Sequence, residues 1–235
     1  MTISMKPSPL QLASVIDHTL LKADASHSEV TRLCEEARNY SFATVCLNAS
    51  QIALASRLLE GSSVKPISVV GFPLGACTTE TKVFEARQAI ELGAREIDMV
   101  IALGALKADS ESGDAYVLSE IEEVVLISRP YPVKVILETA SLNDEQKVRA
   151  CVLAKKAGAA FVKTSTGFGG GGATEHDIAL MRKTVGPEMG VKASGGIRTY
   201  EDALKMIQAG ATRIGASASV AIVSTNLSET SHDSY

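Results

Sequence analysis

One unit recurs eight times along this chain: a short apolar run of strand character, then a stretch whose apolar residues return at helical spacing. The runs are Val15–Leu20, Ala43–Leu47, Pro66–Gly71, Glu96–Ile101, Pro132–Glu138, Ala160–Lys163, Gly190–Ser194 and Ala211–Gly215. The stretches between and after them are 28–39, 51–59, 79–92, 116–128, 143–157, 174–185, 200–209 and 217–223. In the first, Val30, Leu33, Cys34 and Ala37 share one face, and glycines such as Gly93 and Gly158 close later ones. Strands that are apolar on both faces and alternate with helices must lie parallel under a helical cover. Eight such units predict a (β/α)8 TIM barrel. A doubly wound sheet would use fewer strands and place its glycine loop after the first, whereas here the glycine loops come late. The length of 235 residues and the apolar share of 46% fit one barrel. The expected organisation is a barrel over 1–224, led in by a short helix around Leu10–Ser14, then a flexible polar tail over 225–235.

Several classes of function are disfavoured at once. A formal net charge of -4 without a basic run argues against a nucleic-acid partner. No stretch is apolar for long enough to cross a bilayer, and Lys6, Pro7 and Pro9 precede Leu10 without a signal-like segment. Cys34, Cys46, Cys77 and Cys151 form no C-x-x-C pair and read as reduced thiols, so a soluble cytoplasmic protein is expected. His18, His27, His176 and His232 lack ligand spacing, and no metal site is expected.

The chemistry gathers in the sixth unit. Phe161-Val162-Lys163 carries a lysine within an apolar strand, and Thr164-Ser165-Thr166-Gly167-Phe168 leads into Gly169–Gly172. Thr174 is placed to cap the following helix. A lone strand-end lysine would be read as snorkelling to water. A second one, Lys192, stands at the corresponding place in the seventh strand, so the two side chains should converge inside the barrel mouth. Two ammonium groups within about 4–6 Å disfavour each other's charge, as an amine nucleophile for a Schiff base requires. Asp98 in the fourth strand faces the pair across the barrel, either as a proton relay through water or as a structural salt bridge to a lysine. Phosphate in such barrels sits after strands seven and eight, where Gly195, Gly196, Gly215 and Ser217 fall. Thr166 and Gly167 extend that site from the sixth strand. Asp17, Thr19 and Cys46 on the first two strands are expected to line the pocket, Cys46 as a small apolar group rather than a nucleophile.

The segments Ile97–Val100, Phe161–Gly167 and Val191–Arg198, with Ile16–Leu20 and Val45–Asn48, closely resemble the motifs of the deoxyribose-phosphate aldolase family over nearly the whole barrel. The resemblance implies a class I aldolase in which Lys163 forms the Schiff base, Lys192 lowers its pKa and Asp98 handles protons. It also implies cleavage of 2-deoxy-D-ribose 5-phosphate to glyceraldehyde 3-phosphate and acetaldehyde without a cofactor. The expected partners are these phosphosugar and aldehyde substrates and, in a homo-oligomer, a dimer or tetramer of the chain itself. Some members carry a lysine where this chain has Phe168, which would shift phosphate binding towards backbone N–H groups. Another phosphosugar aldolase, an isomerase with a carboxylate base and a silent phosphate binder are the alternatives, and the last two have no use for a suppressed amine. At the chain's end, Tyr235 could reach back over the mouth as a proton carrier or transient lid.

Overall fold

A computed structural model describes residues 7–224. Eight parallel strands close in sequence order into one barrel, each pairing with the next and the eighth with the first. They are β1 (Ile16–Leu20), β2 (Thr44–Leu47), β3 (Lys65–Val70), β4 (Glu96–Val100), β5 (Val133–Ile136), β6 (Phe161–Lys163), β7 (Gly190–Ser194) and β8 (Arg213–Ala216). The helices among the described residues are α1 (Pro9–Ala13), α2 (His27–Tyr40), α3 (Ile52–Leu58), α4 (Thr79–Glu91), α5 (Leu103–Lys107), α6 (Glu111–Ser128), α7 (Asp144–Lys156), α8 (Glu175–Val185), α9 (Tyr200–Gln208) and α10 (Ser219–Ser224). The expected barrel is the observed one. Tyr235 and the tail over 225–235 lie outside the described residues.

Local chemistry explains where the helices start. Ser26, Asn143 and Thr199 each accept from the backbone three residues on while that residue's side chain returns the bond, and Thr174 caps α8 in the expected way. One boundary differs from expectation. The helix expected over 116–128 starts earlier: α6 begins at Glu111, with Ser110 accepting from Gly113 N–H at 3.1 Å. Ser110, Glu111 and Asp114 are the cap and acidic first turn of a helix, which share their composition with a loop. The short α5 ahead of it was also unanticipated.

Two apolar regions result. The large one packs strands against helices and includes Leu12, Ile16, Val45, Ile97, Val135, Val162, Val191 and Ile214. The small one, Cys46, Ile67 and Val69, lies apart from it, with Leu21 and Phe72 against it. Strand residues alternate between the two faces, so this second group fills the barrel interior beside β2 and β3. An ionic cluster occupies much of the rest of that interior.

Candidate active site

Side chains from β1, β4, β5, β6, β7 and β8 meet in the barrel axis. Asp98 on β4 is the hub. Its Oδ2 accepts from Lys163 Nζ at 2.9 Å and from Lys192 Nζ at 2.7 Å, while its Oδ1 accepts from Lys134 Nζ at 3.0 Å. Asp17 is the second hub: Lys192 Nζ stands 2.5 Å from its Oδ2, and Arg213 and Thr44 each donate to its Oδ1 at 2.7 Å. Lys134 and Glu96 form a further ion pair, and Arg213 lies 3.6 Å from Glu96. The Phe161 ring closes the cluster near Lys134 and Arg213, at 5.7 and 5.4 Å from its centroid. It lies against Gly190, where a Cβ would meet the ring at 2.1 Å. Similarly, a Cβ on Gly215 would come within 2.9 Å of Lys192 Cε, so this glycine makes room for the lysine stem.

Sequence reasoning set Asp98 across the barrel and linked it to the lysines through water. It touches both directly, because an eight-stranded barrel is only wide enough to be filled by side chains. Of the two readings weighed for it, the ion pair to a lysine is the one observed, and it extends to three lysines. Asp17 and Cys46 need correction. Both are fully buried and neither borders the open mouth. Asp17 is turned inward by Lys192 and Arg213, and Cys46 packs with Ile67 and Val69.

The two lysines are not equivalent. Lys192 is fully buried and held by two carboxylates; Lys163 keeps 3% of its surface open and has one carboxylate oxygen, which it shares. Burial alone would lower the Lys192 pKa, but Asp17 and Asp98 outweigh it and hold this ammonium above the ordinary lysine value. Burial likewise favours neutral carboxyls, yet Lys134, Lys163 and Lys192 keep Asp98 well below its usual range. Lys192, Lys134 and Arg213 do the same for Asp17. Burial raises the Cys46 pKa, so this residue stays a thiol.

Above the cluster, a cavity of about 330 Å³ opens between the loops after β1, β6, β7 and β8. Thr19, Thr166, Gly167, Gly195, Gly196, Gly215 and Ser217 all border it, as expected. Gly195, at φ +89°, also lets the two glycine loops touch: its carbonyl accepts from Ala173 N–H at 3.0 Å. Thr166 is less free than expected. Its N–H faces Glu138 at 3.3 Å, and its hydroxyl also donates to that carboxylate while accepting from Phe168 N–H at 3.0 Å. Glu138 is buried and left-handed at φ 55°, a strained conformation for this residue type. Phe168 sits edge-on to Phe72, their ring centroids 5.4 Å apart.

Sequence reasoning missed several neighbours. Lys22 and Arg198 border the cavity as loop cations that no pattern distinguishes from ordinary surface charge. Lys134 carried the same signal as Lys163 and Lys192, a lysine within an apolar strand, and could have been found. Elsewhere, Asp144, His176 and Asp177 cluster at the starts of α7 and α8, but Lys147 Nζ already stands 3.1 and 2.7 Å from the two carboxylates.

Comparison with known proteins is consistent across sequence and structure. Residues 12–224 match the model of the DeoC/LacD family of aldolases. A Bacillus cytotoxicus protein named deoxyribose-phosphate aldolase is 59% identical over 215 residues, covering 91% of this chain and 95% of the relative. A relative of the same name from Geobacillus is 58% identical over 213 residues, covering 90% and 94%. The tetrameric deoxyribose phosphate aldolase of Aeropyrum pernix superposes with a TM-score of 0.88 at 37% identity, over 94% of this chain and 93% of that one.

Proposed function

The chain belongs to the DeoC/LacD aldolase family, and on that premise we propose that it is a class I aldolase, a lyase that reversibly cleaves 2-deoxy-D-ribose 5-phosphate to D-glyceraldehyde 3-phosphate and acetaldehyde. The observation that carries the assignment of roles is the inequality of the two mouth lysines. Lys192 is fully buried and clamped by two carboxylates, while Lys163 ends β6, three residues before Thr166 at the cavity rim, and has only one carboxylate oxygen, which it shares.

Lys163 attacks the substrate aldehyde as the free amine, and the carbinolamine loses water to give an iminium. That cation accepts the electron pair as the C2–C3 bond breaks and the C3 hydroxyl gives up its proton. The enamine left on Lys163 takes a proton at C2, and water releases acetaldehyde and regenerates the amine. Asp98 is the acceptor in contact with the amine, and Lys192 is the donor hydrogen-bonded to the same oxygen. The iminium is the electron sink, so the reaction as written uses no cofactor. Phosphate would rest on the backbone N–H groups of Gly167, Gly195, Gly196 and Ser217, with Lys22 and Arg198 at the rim. Asp17 enters through Lys192, and Thr19 lines the sugar side.

A single catalytic barrel over 1–224 with a tail over 225–235 completes the reading, in a cytoplasmic dimer or tetramer acting in deoxyribose phosphate breakdown. The tetrameric Aeropyrum pernix relative supports the oligomer, and no helix of the described residues is long and apolar enough to cross a membrane. Incubation with 2-deoxy-D-ribose 5-phosphate should release acetaldehyde and a triose phosphate in equal amounts. An isomerised pentose phosphate with no acetaldehyde would assign an isomerase instead.

A further inference from the structure

The reaction above leaves Lys134 without a task, although burying an ammonium in the barrel axis is costly unless it is compensated. Lys134 is fully buried on β5 and bonds the one Asp98 oxygen that Lys163 and Lys192 leave free. Its other partners are Glu96 on the same strand as Asp98, and Asp17 on β1, whose Oδ2 is 4.0 Å away. Taken together, Lys134, Lys163, Lys192 and Arg213 face Asp17, Asp98 and Glu96: four cations and three anions, linked by ion pairs into one cluster. Cys46, the nearby group on β2, stays a neutral thiol and does not alter the count.

We propose that Lys134 is a positioning residue that acts on Lys163 through Asp98: it fixes the carboxylate from behind and supplies the surplus positive charge that makes the Lys163 ammonium release its proton. The reasoning is one of charge and access. A buried cluster with one cation too many is relieved by losing a single proton. Arg213 cannot lose one at any working pH. Lys192 and Lys134 each face two or more carboxylates, which outweigh the effect of burial and raise their pKa values. Lys163 has only a shared oxygen and is the least buried lysine of the three, with 3% of its surface exposed. The charge that loosens the nucleophile's proton is thus lodged partly below the site, out of the substrate's reach.

This inference rests on the Schiff-base reading, and the two fail in different ways. If Lys163 is not labelled by borohydride with acetaldehyde, the reading itself fails. If it is labelled, the pH–rate profile of kcat/KM decides the inference. Lys134→Met leaves three cations and three anions, and the rising limb should move to higher pH by at least about one unit. Glu96→Gln adds to the surplus and should move it to lower pH by roughly half a unit, the smaller shift reflecting its greater remoteness. Lys134→Arg keeps the charge and should restore the limb of the unaltered enzyme. Should Lys134→Met fail to fold, the opposite pair Glu96→Gln and Lys134→Arg still decides. A limb that stays in place in Glu96→Gln, or losses equal at every pH in Lys134→Met, would overturn the proposal and leave Lys134 a structural cation.

Discussion

Fully buried lysines occur in two regions among the described residues, and they are solved differently. Between α4 and α6, Lys82 and Glu120 are both fully buried and bonded at 2.5 Å. Lys82 also donates to the Val100 carbonyl at 2.8 Å, and Glu120 accepts from Ala102 N–H at 3.0 Å, so one cation and one anion pin the end of β4. In the barrel axis the cations outnumber the anions, and one lysine shares its only carboxylate oxygen. The first arrangement is complete and has nothing to give. The second carries one proton too many, which is what a lysine that must become a free amine requires. Burial of a lysine is therefore a weak sign of function; imbalance of its surroundings is the stronger one.

The comparison can be broken at either end. The largest effect should come from Lys163→Arg, which keeps the charge but removes the nucleophile; kcat should fall by roughly three orders of magnitude or more with little change in Tm. Lys82→Met should do the reverse, because an uncompensated Glu120 costs about 3–5 kcal/mol of stability. Its effect is read in the denaturation midpoint, while the pH–rate profile of the surviving folded enzyme stays in place. A shifted profile in Lys82→Met would erase the distinction between the two regions.

The phosphate site gives an intermediate effect. Ser217→Asp or Gly196→Asp sets a carboxylate among the N–H groups at the mouth and should raise KM for 2-deoxyribose 5-phosphate well above its effect on unphosphorylated 2-deoxyribose. Equal losses for both sugars would put the phosphate elsewhere.

The smallest predicted effect concerns stability against pH, where the two regions should differ in sign. Burial raises the Glu120 carboxyl, with Lys82 opposing, so its contribution is full below the unfolded value of about 4.3 and shrinks as pH rises through the folded one. Asp98 is held well below its unfolded value of about 3.9 despite burial, so its contribution is present above that pH and lost as pH falls through the folded one. Relative to the unaltered chain, Glu120→Gln should therefore cost less stability at pH 7 than at pH 4, and Asp98→Asn more. Parallel pH dependences in thermal unfolding would contradict this.

The barrel was legible in the sequence because both of its periods, the apolar run and the amphipathic helix, are local. The start of α6 was not, since Ser110 and Glu111 read equally well as loop. Lys163 and Lys192 stood out because a lysine in an apolar strand has no local explanation, and Lys134 between Val133 and Val135 offered the same sign. What sequence could not supply is who meets whom. Glu96 and Asp98 find Lys134, and Lys82 finds Glu120, across 38, 36 and 38 positions of chain. Glu138 could not be distinguished from the end of a strand until its left-handed backbone and its hold on Thr166 were seen. Lys22 and Arg198 are surface cations made relevant only by the cavity between them.

The central claim is that Lys163, and not Lys192, is the amine that becomes covalent. Borohydride added in the presence of acetaldehyde should reduce the Schiff base to a secondary amine, abolish activity and leave one ethyl group on the peptide carrying Lys163. An ethyl group on Lys192, or full activity with no label on either lysine, would contradict it.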